Sequence, residues 1–180
     1  MQRINKIYWI THPAFSAITE KKDYASRPAP AIASFVREKI VPAIERASEE
    51  PNSIVVLVKA ADFRFKRGMS PRRIRQGRAI ETRLEKVILQ KLGNRAVVTK
   101  ELGAKNSAPA VLQKISEKGF VLHKRAKIIG FGSFAERCAI NYPSEFKKNA
   151  GLKSWIFLPK GGSLPTEPRR AGSVFRKRAL

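Results

Sequence analysis

Three side chains with catalytic potential, Cys138, Lys100 and His12, each follow a short apolar run of the sequence. Cys138 is the only cysteine, and it lies six residues after Gly132 in the stretch GFGSFAERCAI. A thiol in the first turns of a helix lies at the positive end of the helix dipole, which favours thiolate over thiol, and a nearby lysine acts in the same direction. A stabilised thiolate beside a proton carrier such as histidine is the arrangement that nucleophilic acyl transfer requires.

The elements that must position these residues are predicted from the apolar pattern. Strands are expected at KIYWITH, SIVVLVKA, NRAVVTK, AKIIGFG and SWIFLP, which are short and rich in β-branched or aromatic residues. Helical spacing of apolar residues predicts helices between them, with a kink or a break near Lys39 caused by Pro42 and an interruption at Pro143. Pro71 and Gly93 mark the ends of the second helix, with Ser70 as its N-cap. This alternation predicts an α/β three-layer sandwich around a five-stranded, mainly parallel sheet of Rossmann-like type.

Polar side chains are concentrated where the predicted strands end. In parallel sheets ligands bind beyond the carboxyl ends of the strands, so residues at these positions are expected to share one cleft. In chain order they are His12, then Lys59 and Asp62, then Lys100 and Glu101, then Ser133, Glu136 and Cys138, and finally Lys160.

The segment from residue 95 to 160 resembles the isochorismatase-like cysteine hydrolases. A strand ending in lysine is followed by a short helix, a strand ending in glycine, and a G-x-x-x-x-x-C pattern at a helix start. The resemblance implies an isochorismatase-like fold and hydrolysis of amides such as nicotinamide or N-carbamoyl compounds, with Cys138 as nucleophile and Lys100 stabilising the thiolate or intermediate. Gly132 and Gly151 also fall where the family pattern has glycines. The family's aspartate at the end of the first strand is replaced by His12, which can act as a general base near neutral pH but lacks a permanent negative charge.

The charge of the chain favours an alternative, non-catalytic function. Lys and Arg total 37 against 14 Asp and Glu, a formal net charge of +23, which attracts polyanions. The stretch RFKRGMSPRRIRQGR holds seven basic residues and no acid. The alternative is a protein that binds RNA or DNA through Arg64, Lys66, Arg67, Arg72, Arg73, Arg75 and Arg78 on an isochorismatase-like or Rossmann-like scaffold.

The remaining composition predicts one α/β domain over residues 1–162 and a basic C-terminal extension over 163–180. No window approaches about eighteen consecutive apolar residues, and the N-terminal residues lack the pattern of a secretory signal, so no membrane span and a cytoplasmic location are expected. One cysteine and two separated histidines give no metal-ligand spacing, and no cofactor is predicted. The expected partner is a small-molecule substrate or, in the alternative, a nucleic acid.

Overall fold

A computed structural model describes residues 1–14, 29–61, 70–133 and 135–163 of the chain, and its centre is a five-stranded sheet. The strand order is β3-β2-β1-β4-β5, and every neighbouring pair is parallel. The α/β class and the five strands predicted from the sequence are therefore confirmed. The strands are β1 (Gln2–Thr11), β2 (Ser53–Lys59), β3 (Ala96–Lys100), β4 (Phe120–Gly132) and β5 (Ile156–Phe157).

Helices connect the strands, and two of the helical segments have π geometry. In the part of the chain that the structure describes, no helix is both long enough and apolar enough to span a bilayer. The helical segments are α1 (Ala29–Phe35), a π-helical turn (Val36–Ile40), α2 (Val41–Glu49), α3 (Pro71–Leu92), a 3-10 turn (Gly93–Arg95), α4 (Ala104–Glu117), a second π-helical segment (Ala135–Asn141) and α5 (Tyr142–Asn149).

Two apolar cores lie on opposite faces of the sheet. Tyr8 and Ile10 of β1 point toward α1, α2 and α3, and this cluster is called the α1–α3 core. Ile7 and Trp9, the alternate residues of the same strand, pack with α4 and α5 in the α4–α5 core. Successive side chains of a strand point to opposite faces, so a strand covered by helices on both sides is apolar throughout. The continuous apolar run of β2 reflects the same arrangement.

The helix irregularities predicted from proline take the form of π-helical segments, and the backbone near Lys39 stays helical. Pro42 has no backbone N–H and would collide with the carbonyl four residues earlier in a continuous α-helix. The chain instead passes through the π-helical turn Val36–Ile40, and Pro42 falls in the first turn of α2, where no N–H is needed. Pro143 occupies the equivalent place in α5. Each proline therefore restarts an α-helix after a π-helical segment.

The ends of α3 agree with the sequence in part. Pro71 is in its first turn and Gly93 ends it with a positive φ of 53°, as predicted. Ser70 is the N-cap residue, as predicted, although its side chain makes no cap hydrogen bond.

Arg95 joins the chain segment before β3 to the end of α2. Its guanidinium donates to the carbonyl oxygens of Ala47 at 2.9 Å, Ser48 at 2.8 Å and Glu50 at 2.6 Å. Ala47 and Ser48 belong to the last turn of α2 and Glu50 is its C-cap residue, a region where carbonyls lack the regular donor four residues on. Arg95 therefore satisfies the C-terminal end of α2.

Candidate active site

Cys138 lies in the π-helical segment that follows β4. This segment packs unusually close to the sheet, because a Cβ on Gly132 would lie 2.8 Å from the Cβ of Cys138 and 2.9 Å from the carbonyl oxygen of Thr11. A Cβ on Gly130 would lie 2.2 Å from the carbonyl oxygen of Ala139. Both glycines are needed for this approach, since atoms that close would overlap. Cys138 is consequently held against the carboxyl ends of β1 and β4, and it is 4% exposed.

His12 follows β1 and lies next to Cys138. The Sγ of Cys138 is 3.8 Å from Nδ1 of the His12 ring. The backbone of His12 has a positive φ of 44°, its N–H donates to the carbonyl of Val58 at 2.9 Å, and its carbonyl accepts a hydrogen bond from the hydroxyl of Ser133. These bonds tie the residue to the ends of β2 and β4. Two of the three predicted catalytic residues are thus brought together.

Glu101 completes a chain of side chains on the far side of the His12 ring. Its Oε2 is 3.3 Å from Nε2 of His12, a contact that becomes an ion pair when the imidazole is protonated. Its other oxygen, Oε1, accepts a hydrogen bond from the hydroxyl of Tyr142. The backbone N–H of Glu101 donates to the carbonyl of Lys59 at 2.9 Å, which holds the residue at the end of β3.

These four residues, Cys138, His12, Glu101 and Tyr142, are called the Cys138 cluster, and all four are buried. The Tyr142 ring meets the His12 ring edge to face, with centroids 5.0 Å apart. Away from water, hydrogen bonds and charge interactions are stronger than on a surface, and each polar group needs a partner. Within the cluster the thiol contacts the imidazole, the imidazole contacts the carboxylate, and the carboxylate accepts a hydrogen bond from the phenol.

Lys100 does not share the burial of the cluster. Val97 of β3 belongs to the α4–α5 core and Val98 packs against the α1–α3 core, so alternation along the strand places Lys100 on the α1–α3 face. Tyr142, by contrast, belongs to the α4–α5 core. Lys100 is exposed, and the buried charged residue at the end of β3 is Glu101. Glu101 was among the polar residues that follow the predicted strands, and its position one residue past the strand end is the only sequence signal that pointed to it.

Glu81 is a buried carboxyl that the sequence did not single out. It projects from α3, and its oxygens accept the backbone N–H of Ala60 at 3.2 and 3.4 Å and that of Ala14. Burial raises the pKa of Glu81 to about 8, against the lowering effects of these N–H groups and Lys59, and the charge of Glu101 adds to the rise. Ala14 and Ala60 begin the loops after β1 and β2. Glu81 therefore joins Ala14, two residues beyond His12, to Ala60, the residue that follows β2.

The predicted nucleic-acid residues fall into two groups. Arg72, Arg73, Arg75 and Arg78 are exposed on the first turns of α3. Arg64, Lys66 and Arg67 lie outside the residues that the structure describes. The prediction that they bind RNA or DNA stays a prediction.

The chain was compared with models of known protein families, with curated proteins and with solved structures, and none of the three comparisons gave a match. Within residues 1–14, 29–61, 70–133 and 135–163, no three His, Cys, Asp or Glu side chains are grouped so that they could hold a metal ion.

Proposed function

We propose that this protein is a cysteine-dependent hydrolase of a small amide or related acyl compound, with Cys138 as nucleophile. The observation that carries the proposal is the line of three side chains in which the thiol is 3.8 Å from Nδ1 of His12 and Nε2 is 3.3 Å from Glu101. A nucleophile, a base and a group that orients the base are the three parts of this kind of catalysis. We also propose that the chain is an isochorismatase-like hydrolase and that it acts in the cytoplasm.

The proposed reaction follows from these contacts. His12 accepts the thiol proton at Nδ1, and the thiolate of Cys138 attacks the carbonyl carbon of the amide. The C–N bond then breaks, and His12 returns the proton to the departing amine, which leaves a thioester on Cys138. Water, deprotonated by His12, attacks the thioester carbonyl, the C–S bond breaks to release the acid, and the proton on His12 returns to the sulfur of Cys138. Glu101 stabilises the imidazolium that forms in each half of the reaction.

The proposed site differs from the isochorismatase-like pattern in the residues that follow the first and third strands. The resemblance implies an acidic group after the first strand and a lysine after the third. Here His12 follows β1 and the buried residue after β3 is Glu101, so the basic and acidic partners have exchanged strands. An imidazole–carboxylate pair remains at the same edge of the sheet. Glu101, and not Lys100, is therefore the proposed partner of His12.

The test is release of ammonia or amine from a panel of small primary amides and N-carbamoyl compounds. The wild-type protein is expected to hydrolyse at least one member, and Cys138→Ser and His12→Ala are each expected to lower the rate at least about 100-fold. His123→Ala is the matched control and should retain the rate. His123 is the other histidine of the chain, half-buried in β4 and outside the Cys138 cluster. Hydrolysis that survives Cys138→Ala in a folded variant would overturn the proposal, as would the absence of hydrolysis across the panel.

A second candidate function, nucleic-acid binding, is favoured by the exposed arginines of α3. Arg72, Arg73, Arg75 and Arg78 lie within the first turns of a helix that has no acidic residue in its first turn. Four exposed cations close together on one helix attract a polyanion such as RNA or DNA. On this proposal the logarithm of affinity falls linearly with the logarithm of salt concentration, and charge reversal at Arg72, Arg73 and Arg75 reduces the slope. A slope unchanged by the reversal would contradict it.

A further inference from the structure

The edge strand β5 presents two aromatic side chains to solvent. Trp155, immediately before the strand, is 82% exposed, and Phe157 at its end is 62% exposed. Ile156 between them packs against the α4–α5 core. Alternation along the strand places Phe157 opposite to Ile156, and Trp155, one residue before the strand, is exposed at the same sheet edge. Large aromatics exposed side by side mark a binding surface more often than a packing surface.

Phe157 lies on the α1–α3 side of the sheet edge. It pairs with Ile129 of β4, and Ile129 packs against the α1–α3 core. Trp155 precedes Phe157 by two residues at the same edge.

Three lysines lie close to the two aromatic residues along the chain or across the β4–β5 pair. Lys127 is exposed and shares the face of Ile129, and Lys153 is exposed two residues before Trp155. The Nζ of Lys147 is 6.0 Å from the centre of the Trp155 ring. Within residues 118–163 the only acidic residues are Glu136 and Glu145, and Glu145 is bound by Lys148 at 2.9 Å. The surface formed by Lys127, Lys147, Lys153, Trp155 and Phe157 is called the β5 patch.

The chemistry of the β5 patch identifies its partner. Cations select an anion, and two exposed aromatic rings select a ligand with flat π faces. Alternate residues of a strand are about 6.6 to 6.8 Å apart, which leaves room for a base against each ring. A single-stranded nucleic acid has both features, whereas a duplex hides its base faces inside the helix. We propose that the β5 patch binds single-stranded nucleic acid, with one base stacked on Trp155, one on Phe157, and phosphates near the lysines.

This binding site is separate from the Cys138 cluster and from the arginines of α3, so it does not depend on either function proposed above. The test is fluorescence anisotropy of a labelled single-stranded oligonucleotide of about 12 residues, titrated with the full-length protein at about 0.15 M salt. Trp155→Ala and Phe157→Ala are each expected to weaken binding about 5- to 150-fold, the range for loss of one base–aromatic stack. Trp155→Phe should restore most of the affinity.

Two controls separate the β5 patch from general charge attraction. Leu89→Ala removes a different exposed apolar side chain, on α3, and should leave the affinity unchanged. A duplex of the same sequence should bind more weakly, and its affinity should not respond to Trp155→Ala. Equal binding of the oligonucleotide by wild type and both aromatic variants would overturn the proposal. It would also be overturned if the variants dissociated a dimer in analytical ultracentrifugation without changing oligonucleotide binding, since the patch would then be a contact between copies of the chain.

Discussion

The Sγ of Cys138 lies 3.8 Å from Nδ1 of His12, although the two residues are 126 positions apart in the chain. Both are buried where the carboxyl ends of β1 and β4 meet, and these strands are neighbours in the sheet. The helices that follow β1 in the chain cover one face of the sheet, and the helix that follows β4 covers the other. The strand order therefore reverses direction between β1 and β4. In parallel sheets such a point is where ligands bind.

This contact predicts that the Cys138 thiol reacts quickly with small electrophiles. Iodoacetamide should alkylate the wild-type protein at pH 7 faster than it alkylates free cysteine, and His12→Gln should lower the rate at least about tenfold, because the thiol loses its proton acceptor. A bulky maleimide should react slowly with both proteins, since Cys138 is 4% exposed. The rates are measured by mass spectrometry of the intact chain. Equal alkylation of wild type and His12→Gln would show that the imidazole does not activate the thiol.

Replacing Glu101 tests whether His12 is oriented by a carboxylate. Glu101→Gln keeps the shape of the side chain but removes the charge beside Nε2, so the alkylation rate of Cys138 is expected to fall, by less than in His12→Gln, which removes the proton acceptor itself. Tyr142→Phe removes one hydrogen bond to Glu101 and should have a smaller effect in the same direction. Lys100→Gln is the matched control, because Lys100 is exposed. A larger loss in Lys100→Gln than in Glu101→Gln would reassign the partner to the lysine.

The buried carboxyl of Glu81 predicts a specific dependence of stability on pH. In the folded protein burial raises its pKa to about 8, from an ordinary value of 4.5. Between these two pH values the folded state binds more protons than the unfolded state, so the free energy of unfolding decreases as pH rises, by up to about 1.4 kcal/mol per pH unit. Glu81→Gln removes this contribution, and its stability should decline less over the same window.

The Glu81 prediction is measured by urea unfolding at several pH values between 5 and 8, within the window set by the two pKa values. Glu45→Gln is the control, because Glu45 is exposed on α2, and it should follow the wild-type curve. Parallel curves for wild type and Glu81→Gln would contradict the prediction.

Gly132 is expected to be required for the position of Cys138. In Gly132→Ala the new Cβ meets the Cβ of Cys138 at 2.8 Å, so the π-helical segment must shift away from the sheet. We expect a loss of about 1 to 3 kcal/mol in the free energy of unfolding together with slower alkylation of Cys138. Gly151→Ala is the control that separates a loss of stability from a displacement of Cys138. Its Cβ has open space, but its φ of 62° is unfavourable for alanine, so it should lower stability and leave the alkylation rate unchanged.

Arg95 predicts an effect on stability far from the cluster. Arg95→Ala leaves the carbonyls of Ala47, Ser48 and Glu50 without their guanidinium donor, which should lower the free energy of unfolding by about 1 to 3 kcal/mol. Arg95→Lys should recover only part of the loss, because one ammonium cannot reproduce the planar fork. Arg83→Ala, at an exposed position of α3, should change stability by less than about 0.5 kcal/mol.

Much of the architecture follows from local pattern. The five apolar runs became five strands, and Pro42 and Pro143 interrupt their helices, because strand and helix preferences are decided within a few residues. The expected meeting of His12 and Cys138 needed one more step, the rule that the ends of parallel strands gather at one edge. Both inferences require only the order of elements along the chain.

The partners of His12 and the burial of Glu81 were decided by the tertiary structure. Lys100 and Glu101 are adjacent in sequence, and which of them is buried depends on which face of β3 turns toward α5, a property of the register between strands. Glu81 is one acidic residue of a mainly polar helix until Ala14 and Ala60, from two distant segments, pack against it and supply their N–H groups. The amino-acid sequence by itself determined the elements and their order. Side-chain partners were determined only when distant segments packed, since a partner is a matter of position in space and not of spacing along the chain.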